Sequence, residues 1–305
     1  MMKKIAVLIP CYNEEETIKK VVEDFKKVLP EASVYVYDNN SKDQTSVIAQ
    51  KSGAVVRKEF RQGKGFVVQK MFREIDADLY LLVDGDDTYP AEDAKNLIDV
   101  SIEYDVDMVV GDRLSNGTYA QENKRGFHNF GNALVKNMVN LFFKSNLKDI
   151  MSGYRVFSKK FVKNYPILVG GFQLETDMTI FALDRKFTIR EVPIIYRDRP
   201  EGSVSKLNTY SDGLRVVMVI FNLFRYYRPF LYFSLFASFF IIVGLLIGAP
   251  VVLEYLKTSY ISKVPSAILA SGLMILGVLS LVCGLILDAI KRLNDEVSEL
   301  NMKER

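Results

Sequence analysis

Leu79-Tyr80-Leu81-Leu82-Val83, followed directly by Asp84-Gly85-Asp86-Asp87, sets the architecture of this 305-residue chain. An unbroken apolar run of this length fits a strand buried on both faces. An acidic turn at its end fits the carboxyl edge of an open α/β sheet, where ligands bind. Working outward, Ile5–Ile9 is a second such run, and Asn13 with Glu16 three residues on resembles a capping box. Ile18, Val21, Val22, Phe25, Val28 and Leu29 then recur at helical spacing until Pro30. Strands are expected at Val34–Tyr37, Ala54–Arg57, Met108–Val110 and Thr188–Val192. Helices are expected at Thr45–Lys51, Gly65–Glu74, Ala91–Tyr104, Phe127–Phe143 and Phe172–Asp184. Strands alternating with helices predict right-handed crossovers and a mostly parallel, Rossmann-like sheet.

The character of the chain changes near Arg228. Leu231–Leu253 is a run of 23 uncharged residues, and Val264–Leu287 is a second one. About 20 apolar residues at 1.5 Å rise cover the ~30 Å of bilayer hydrocarbon, so each run predicts a membrane-spanning helix. Arg225 and Arg228 precede the first run, and Lys291 and Arg292 follow the second. The positive-inside rule then predicts an integral plasma-membrane protein with its head and both termini in the cytoplasm. The five-residue apolar run stopped by Pro10 is too short for the apolar core expected of a signal peptide. Tyr210–Tyr227 is amphipathic and aromatic-rich, and predicts a helix along the membrane surface or an ordinary packing helix. The expected organisation is a catalytic head over 1–208, an interfacial helix over 209–229, a two-helix transmembrane domain over 230–290 and a solvated tail over 291–305. Gly244 and Gly248 form a Gly-x-x-x-Gly pattern that permits close helix approach and, with it, a homo-oligomer.

Composition excludes several classes. A net charge of +3 with no Lys/Arg block gives no footprint for nucleic acid. One histidine, His128, rules out His-cluster metal sites and leaves little room for a Ser-His triad. The two cysteines, Cys11 and Cys283, fall in a loop and in an apolar run, which suits a reducing compartment.

The polar clusters all follow strands. Asp84 and Asp86, two apart on a turn, can face one hard cation, since Mg²⁺ takes one or two carboxylates and completes its shell with water and phosphate oxygens. The competing reading is an exposed Asp-Gly turn. In Pro10-Cys11-Tyr12-Asn13-Glu14, Tyr12 can stack on a base, and Glu14 or the helix N-terminus can reach ribose or phosphate. Asp38-Asn39-Asn40-Ser41 offers a carboxylate to a base or sugar. Arg61-Gln62-Gly63-Lys64-Gly65 supplies cations and mobile backbone before a helix. It matches neither a P-loop nor a complete dinucleotide fingerprint, as Phe66 and Val68 stand at the diagnostic positions.

Taken together, Ile9–Glu14, Asp38–Ser41, Gly63-Lys64-Gly65 and Asp84-Gly85-Asp86 resemble, in order and spacing, the family 2 glycosyltransferases of the GT-A fold. Asp149–Arg155, Glu191–Ile194 and Arg199–Leu207 are similar to segments of the dolichyl- and polyprenyl-phosphate sugar synthases, and the resemblance extends over essentially the whole chain. It implies that Pro10, Tyr12, Glu14, Asp38, Lys64 and Asp84 bind the nucleotide sugar. Asp84 and Asp86 would hold Mg²⁺ or Mn²⁺. Arg113, Arg199, Ser203, Ser205 and Lys206 would meet the acceptor phosphate or the donor diphosphate, with Asp86, Asp84 and Arg199 as the catalytic core. Asp149 and Glu175 are further candidates. This sequence departs from the family pattern at Asn39 and Asn40, where Asp-Gly is usual after Asp38, which leaves the base open. Thr88 stands where the dolichol-phosphate mannose enzymes carry a glutamine, and Gln173 precedes Glu175 where a second glutamate is common.

The implied reaction is an inverting, metal-dependent transfer of a hexose (glucose, N-acetylglucosamine or mannose) from a nucleotide-diphosphate sugar to a polyprenyl phosphate such as undecaprenyl phosphate. The product would serve cell-envelope or cell-wall glycosylation. A UDP-sugar is the expected donor, with GDP-mannose the second choice. The rivals are transfer to a non-lipid acceptor and a non-catalytic sugar-nucleotide-binding membrane protein. A processive polysaccharide synthase would carry a Gln-x-x-Arg-Trp motif, and this chain has no tryptophan.

Overall fold

A computed structural model describes residues 3–115, 117, 126–166, 174–197, 221–222 and 224–303. Arg199, Ser203, Ser205 and Lys206 lie outside these residues, as does most of the surface helix expected over 210–227. The chain divides into two compact units, Met1–Val217 and Met218–Arg305.

In the first unit, β1 (Ile5–Cys11) is buried along its apolar run and pairs in parallel with both β2 (Ser33–Asp38) and β4 (Leu79–Leu82). Between β1 and β2, helix α1 (Ile18–Val28) buries Ile18, Val21, Val22 and Phe25 as its periodicity demands. Helix α2 (Thr45–Lys51) leads to β3 (Val55–Lys58), the edge strand beside β2. Helices α3 (Lys64–Glu74) and α4 (Asp93–Glu103) flank β4, and β5 (Met108–Asp112) follows. After α5 (Gly126–Phe143) come β6 (Arg155–Ser158), α6 (Lys159–Asn164), α7 (Leu174–Asp184) and β7 (Ile189–Pro193). The seven strands run in the order β3-β2-β1-β4-β6-β5-β7. All their pairings are parallel except those of β6, which is antiparallel to both β4 and β5.

Two expectations are corrected here. Strand β6 and helix α6 have no counterpart in the sequence reading. The strand opens on Arg155, and an arginine beside Val156 and Phe157 looks like a solvent-facing residue, yet it is fully buried. Asn13 is not a helix cap. It takes the left-handed conformation at φ 52° and its side chain accepts from Lys42 N–H, while the helix starts later, behind Thr17. The tight turn after β1 needs a residue that tolerates αL, which asparagine does.

The second unit contains α8 (Pro229–Thr258) and α9 (Val264–Lys303), each long and apolar enough to cross a membrane. Only 17% and 11% of their most apolar windows are buried, whereas the core helix of a soluble domain is mostly buried. The two pack closely through small residues. A Cβ on Gly277 would lie 2.6 Å from Ile241, and one on Gly244 or Gly248 would press on Met274 or Ala270 at 3.2 Å. The Gly-x-x-x-Gly pattern is therefore used for packing within one chain.

Candidate active site

Parallel pairing brings the carboxyl ends of β1, β2 and β4 to one edge of the sheet, and β5, antiparallel to β6 as β4 is, ends at the same edge. Cys11 lies beside Asp38 in register, and Leu8 beside Leu82. Pro10, near the end of β1, and Tyr12 and Glu14, in the turn after it, are half-buried, and Asp38, 2% exposed, accepts from Ser41 N–H at 3.1 Å. The turn is braced against its neighbours: Asn13 N–H donates to Ser41 Oγ and Glu14 N–H to Thr45 Oγ1.

The acidic turn is held at both ends. Thr17 Oγ1 donates to Gly85 O at 2.6 Å, and a Cβ on Gly85 would collide with Cys11 Sγ at 2.7 Å, which explains the glycine. Asp86 is buried and accepts at Oδ1 from the Thr88 hydroxyl at 2.7 Å and N–H at 3.3 Å. Asp87 instead turns back to Lys20, 2.7 Å away.

Lys64, the first residue of α3, joins distant parts of the chain. Its Nζ lies 2.6 Å from Asp84 Oδ1 and 2.6 Å from Glu175 Oε1 at the start of α7. Burial disfavours the ammonium, but the two carboxylates outweigh it and hold the Lys64 pKa well above the ordinary lysine value. Asn39 supports the loop that delivers this lysine. Its amide donates to the carbonyls of Glu59 and Arg61 and its Oδ1 accepts from Gly63 N–H at 2.7 Å, with Gly63 at φ 134°. An aspartate there would lack the two amide donors, so the departure at Asn39 has a structural role that the motif comparison missed.

A second group sits beside it. Arg113, just after β5, makes a two-pronged pair with Asp149, Nε to Oδ2 at 2.7 Å and NH2 to Oδ1 at 2.9 Å. Burial alone would lift the Asp149 carboxyl, but the Arg113 guanidinium more than offsets it and holds the pKa below the usual carboxylate range. The Tyr89 hydroxyl bridges the groups, accepting from Gly153 N–H at 3.1 Å and Arg113 NH1 at 3.4 Å, and burial pushes its pKa up to about 12.

Asp149 and Gly153 reach this edge because β6 is antiparallel: it begins where its neighbours end. A Cβ on Gly153 would fall 2.6 Å from Asp84 Oδ2 and 3.3 Å from Lys64 Nζ. Gly153→Ala therefore has to displace the Asp84 carboxylate. As that is the end of a side chain and not backbone, stability should change by under about 1 kcal/mol, while transfer falls at least tenfold. A thermal melt and a rate assay of the same preparation check this.

Arg155 anchors the loop. Its guanidinium, fully buried, donates to Ser152 O at 2.8 Å, Ile150 O at 2.7 Å and Thr179 Oγ1 at 2.8 Å. Burial lowers its pKa, while Glu175 and Asp149 act in the opposite direction. In the sequence Arg155 only closes the Asp149–Arg155 segment, and its spacing gives it no role. Arg155→Met leaves two carbonyls and a hydroxyl short of donors, and should cost about 3 kcal/mol, seen as a melting point lower by roughly 6–12 °C.

The donor set suits a hard divalent ion. Asp84 and Asp86 offer carboxylate oxygens at one strand end. Among the described residues no group of three Asp, Glu, His or Cys could close a complete site. Water and diphosphate oxygens would have to complete the shell, which is the habit of Mg²⁺.

Comparison with known proteins adds the following. The profile of glycosyl transferase family 2 matches residues 6–165. Over 296 residues the chain is 30% identical to glycosyltransferase AglJ of Haloferax volcanii, covering 96% of this chain and 95% of that protein. A protein of the same organism named dolichyl-phosphate hexose transferase is 28% identical over 212 residues, 70% of this chain and 90% of its own length. Glucosyl-3-phosphoglycerate synthase of Mycobacterium tuberculosis, crystallised with Mn²⁺, UDP and glucosyl-3-phosphoglycerate, superposes with a TM-score of 0.60 at 20% identity. That match covers 73% of this chain and 79% of the synthase, and shows a common fold.

Proposed function

We propose that this chain, which belongs to glycosyl transferase family 2 and has the GT-A fold, transfers a hexose from a nucleotide-diphosphate sugar to a polyprenyl phosphate. It is a glycosyltransferase; the lipid acceptor and the inverting course are the parts proposed. The observation that carries the reading is the joint presence in one chain of the Lys64–Asp84–Glu175 cluster at the ligand-binding sheet edge and two helices able to cross a membrane. The name of the dolichyl-phosphate hexose transferase relative supports a lipid-phosphate acceptor. The UDP and Mn²⁺ of the glucosyl-3-phosphoglycerate synthase crystal support a UDP-sugar donor and a divalent ion. GDP-mannose remains the second donor to test.

The nucleophile is a phosphate oxygen already ionised at neutral pH, so little general-base strength is required of the protein. The larger demand is the negative charge that gathers on the departing diphosphate. Lys64, positioned by α3 and steadied by Glu175, presents an ammonium at that edge. Mg²⁺ or Mn²⁺ bound through Asp84 and Asp86 would supply Lewis-acid neutralisation of the same oxygens. Tyr12, Glu14, Pro10 and Asp38 flank the edge where a nucleoside would lie. Arg113, with Arg199, Ser203, Ser205 and Lys206, is assigned to the acceptor phosphate, and Asp149 keeps the Arg113 guanidinium oriented. The assigned setting is the plasma membrane with the head and both termini in the cytoplasm.

The test is a donor screen on purified protein with undecaprenyl phosphate and Mn²⁺, read by mass spectrometry. A glycosylated lipid phosphate from one donor is expected. Sugar transfer that proceeds equally without the lipid would overturn the acceptor assignment.

A further inference from the structure

We propose that Glu191 is a positioning residue for transfer: it grips the backbone at Lys148 and Asp149, and so sets the Asp149 carboxylate and, through it, the Arg113 guanidinium. The proposal rests on the assignment of Arg113 to the acceptor phosphate.

Glu191 opens the segment Glu191–Ile194, two of whose members have a packing role. Val192 and Ile194 are buried, and Ile194 N–H donates to Asp112 O at 3.0 Å. The half-buried Glu191 side chain turns instead to a loop 42 residues earlier in the chain. Its Oε1 accepts from Lys148 N–H and from Asp149 N–H, each at 2.8 Å, and its Oε2 from Lys148 N–H at 2.9 Å. Parallel pairing of β7 with β5 places Glu191 beside Val110, just before β5 ends and Arg113 follows.

The gripped loop links α5 to β6. Asn140, near the end of α5, holds its start, donating to Leu147 O at 2.8 Å and accepting from Leu147 N–H at 3.0 Å. Glu191 holds the next two residues. Asp149, 4% exposed, therefore enters the site with its main chain fixed. Its carboxylate then receives Arg113 three times, through Nε, through NH2 and through the backbone N–H at 3.1 Å. Arg113 takes its place from Asp149, and Asp149 takes its place from Glu191.

A plain loop anchor would affect stability alone. Here the grip falls on the residue whose side chain orients the guanidinium, so an error in the loop passes directly to Arg113. A misplacement of about 1 Å in a site of this kind costs roughly a hundredfold in rate. The grip depends on the acceptor oxygen more than on the charge. Burial pushes the Glu191 carboxyl above its usual range against the two N–H bonds, and Asp112 and Asp149 add to the rise. Since Oε1 by itself accepts both N–H groups, a glutamine oxygen can take them over.

The test uses the purified full chain with undecaprenyl phosphate and the sugar nucleotide that the donor screen selects. Glu191→Ala should raise the KM for undecaprenyl phosphate about tenfold or more and leave the donor KM within about twofold. Glu191→Asp, one methylene too short to keep both bonds, should show the same split, and it serves if the alanine variant does not fold. Glu191→Gln should bring the lipid KM back to within about threefold of wild type. On an Arg113→Met background, Glu191→Ala should change transfer by less than about twofold, because the group it positions is gone. Lipid and donor KM values that rise together, an undiminished effect on the Arg113→Met background, or a glutamine variant as impaired as the alanine one overturns the proposal. An Arg113→Met chain with the wild-type lipid KM overturns the assignment of Arg113 to the acceptor, and the role of Glu191 with it, which sets failure of that reading apart.

Discussion

Asp86→Asn should lower transfer at least a hundredfold while the protein remains folded. The side chain is 5% exposed and its Oδ1 accepts from the hydroxyl and N–H of Thr88. An amide oxygen can accept the same two bonds, so the turn keeps its shape and the substitution removes charge alone. Loss of one preorganised charge partner in such a site costs about 3 kcal/mol, roughly two orders of magnitude in rate. The measurement is steady-state transfer of radiolabelled sugar, paired with calorimetric titration of Mn²⁺ in the presence of nucleoside diphosphate. Weakened ion binding, a melting point within about 2 °C of wild type and a collapsed rate are the expected set. A variant retaining more than a tenth of the activity would remove Asp86 from the site.

The second large effect is Lys64→Met, which should reduce both stability and transfer. Methionine keeps the length of the stem but leaves Asp84 and Glu175 facing each other without the ammonium that now lies 2.6 Å from each. Removing one partner of a buried ionic group costs about 3 kcal/mol, or a melting point lower by roughly 6–12 °C in a domain of this size. The pH dependence follows from the raised lysine pKa. The contribution is complete below the unfolded lysine value of about 10.4 and is lost only as pH climbs through the higher folded value. The gap between wild type and variant should therefore stay level across neutral pH and narrow in strong alkali. Adding Glu175→Gln to Lys64→Met removes one uncompensated carboxylate, and should restore part of the stability but none of the transfer. Recovery of both together would mean that Lys64 is merely structural.

The two substitutions probe parts of the site that were unequally legible. Asp84 and Asp86 stand out in the chain because the run before them is continuously apolar and the turn is local. Lys64 was recognisable as a cation before a helix, but its partner Glu175 lies 111 residues away, and nothing in the spacing pairs them. Arg155 was the least legible. Strand periodicity assigns a charged residue to the outer face, whereas here carbonyls of the Ile150–Ser152 loop solvate the guanidinium inside the protein. The Gly244 and Gly248 pattern could be read as close helix packing, but not as packing within one chain, because sequence does not say which helix is the neighbour.

Local chemistry thus determined every strand but β6, most of the helices, the acidic turn and the two apolar spans, since each depends on residues within a few positions of one another. The tertiary structure decided that β6 runs against its neighbours and so carries Asp149 and Gly153 to the same edge as Asp84. It also decided that one ammonium closes two carboxylates from distant helices and turns. Strand direction and ion pairing of this kind arise from contacts between segments that the order of residues leaves unspecified, and they appear only when the sheet assembles.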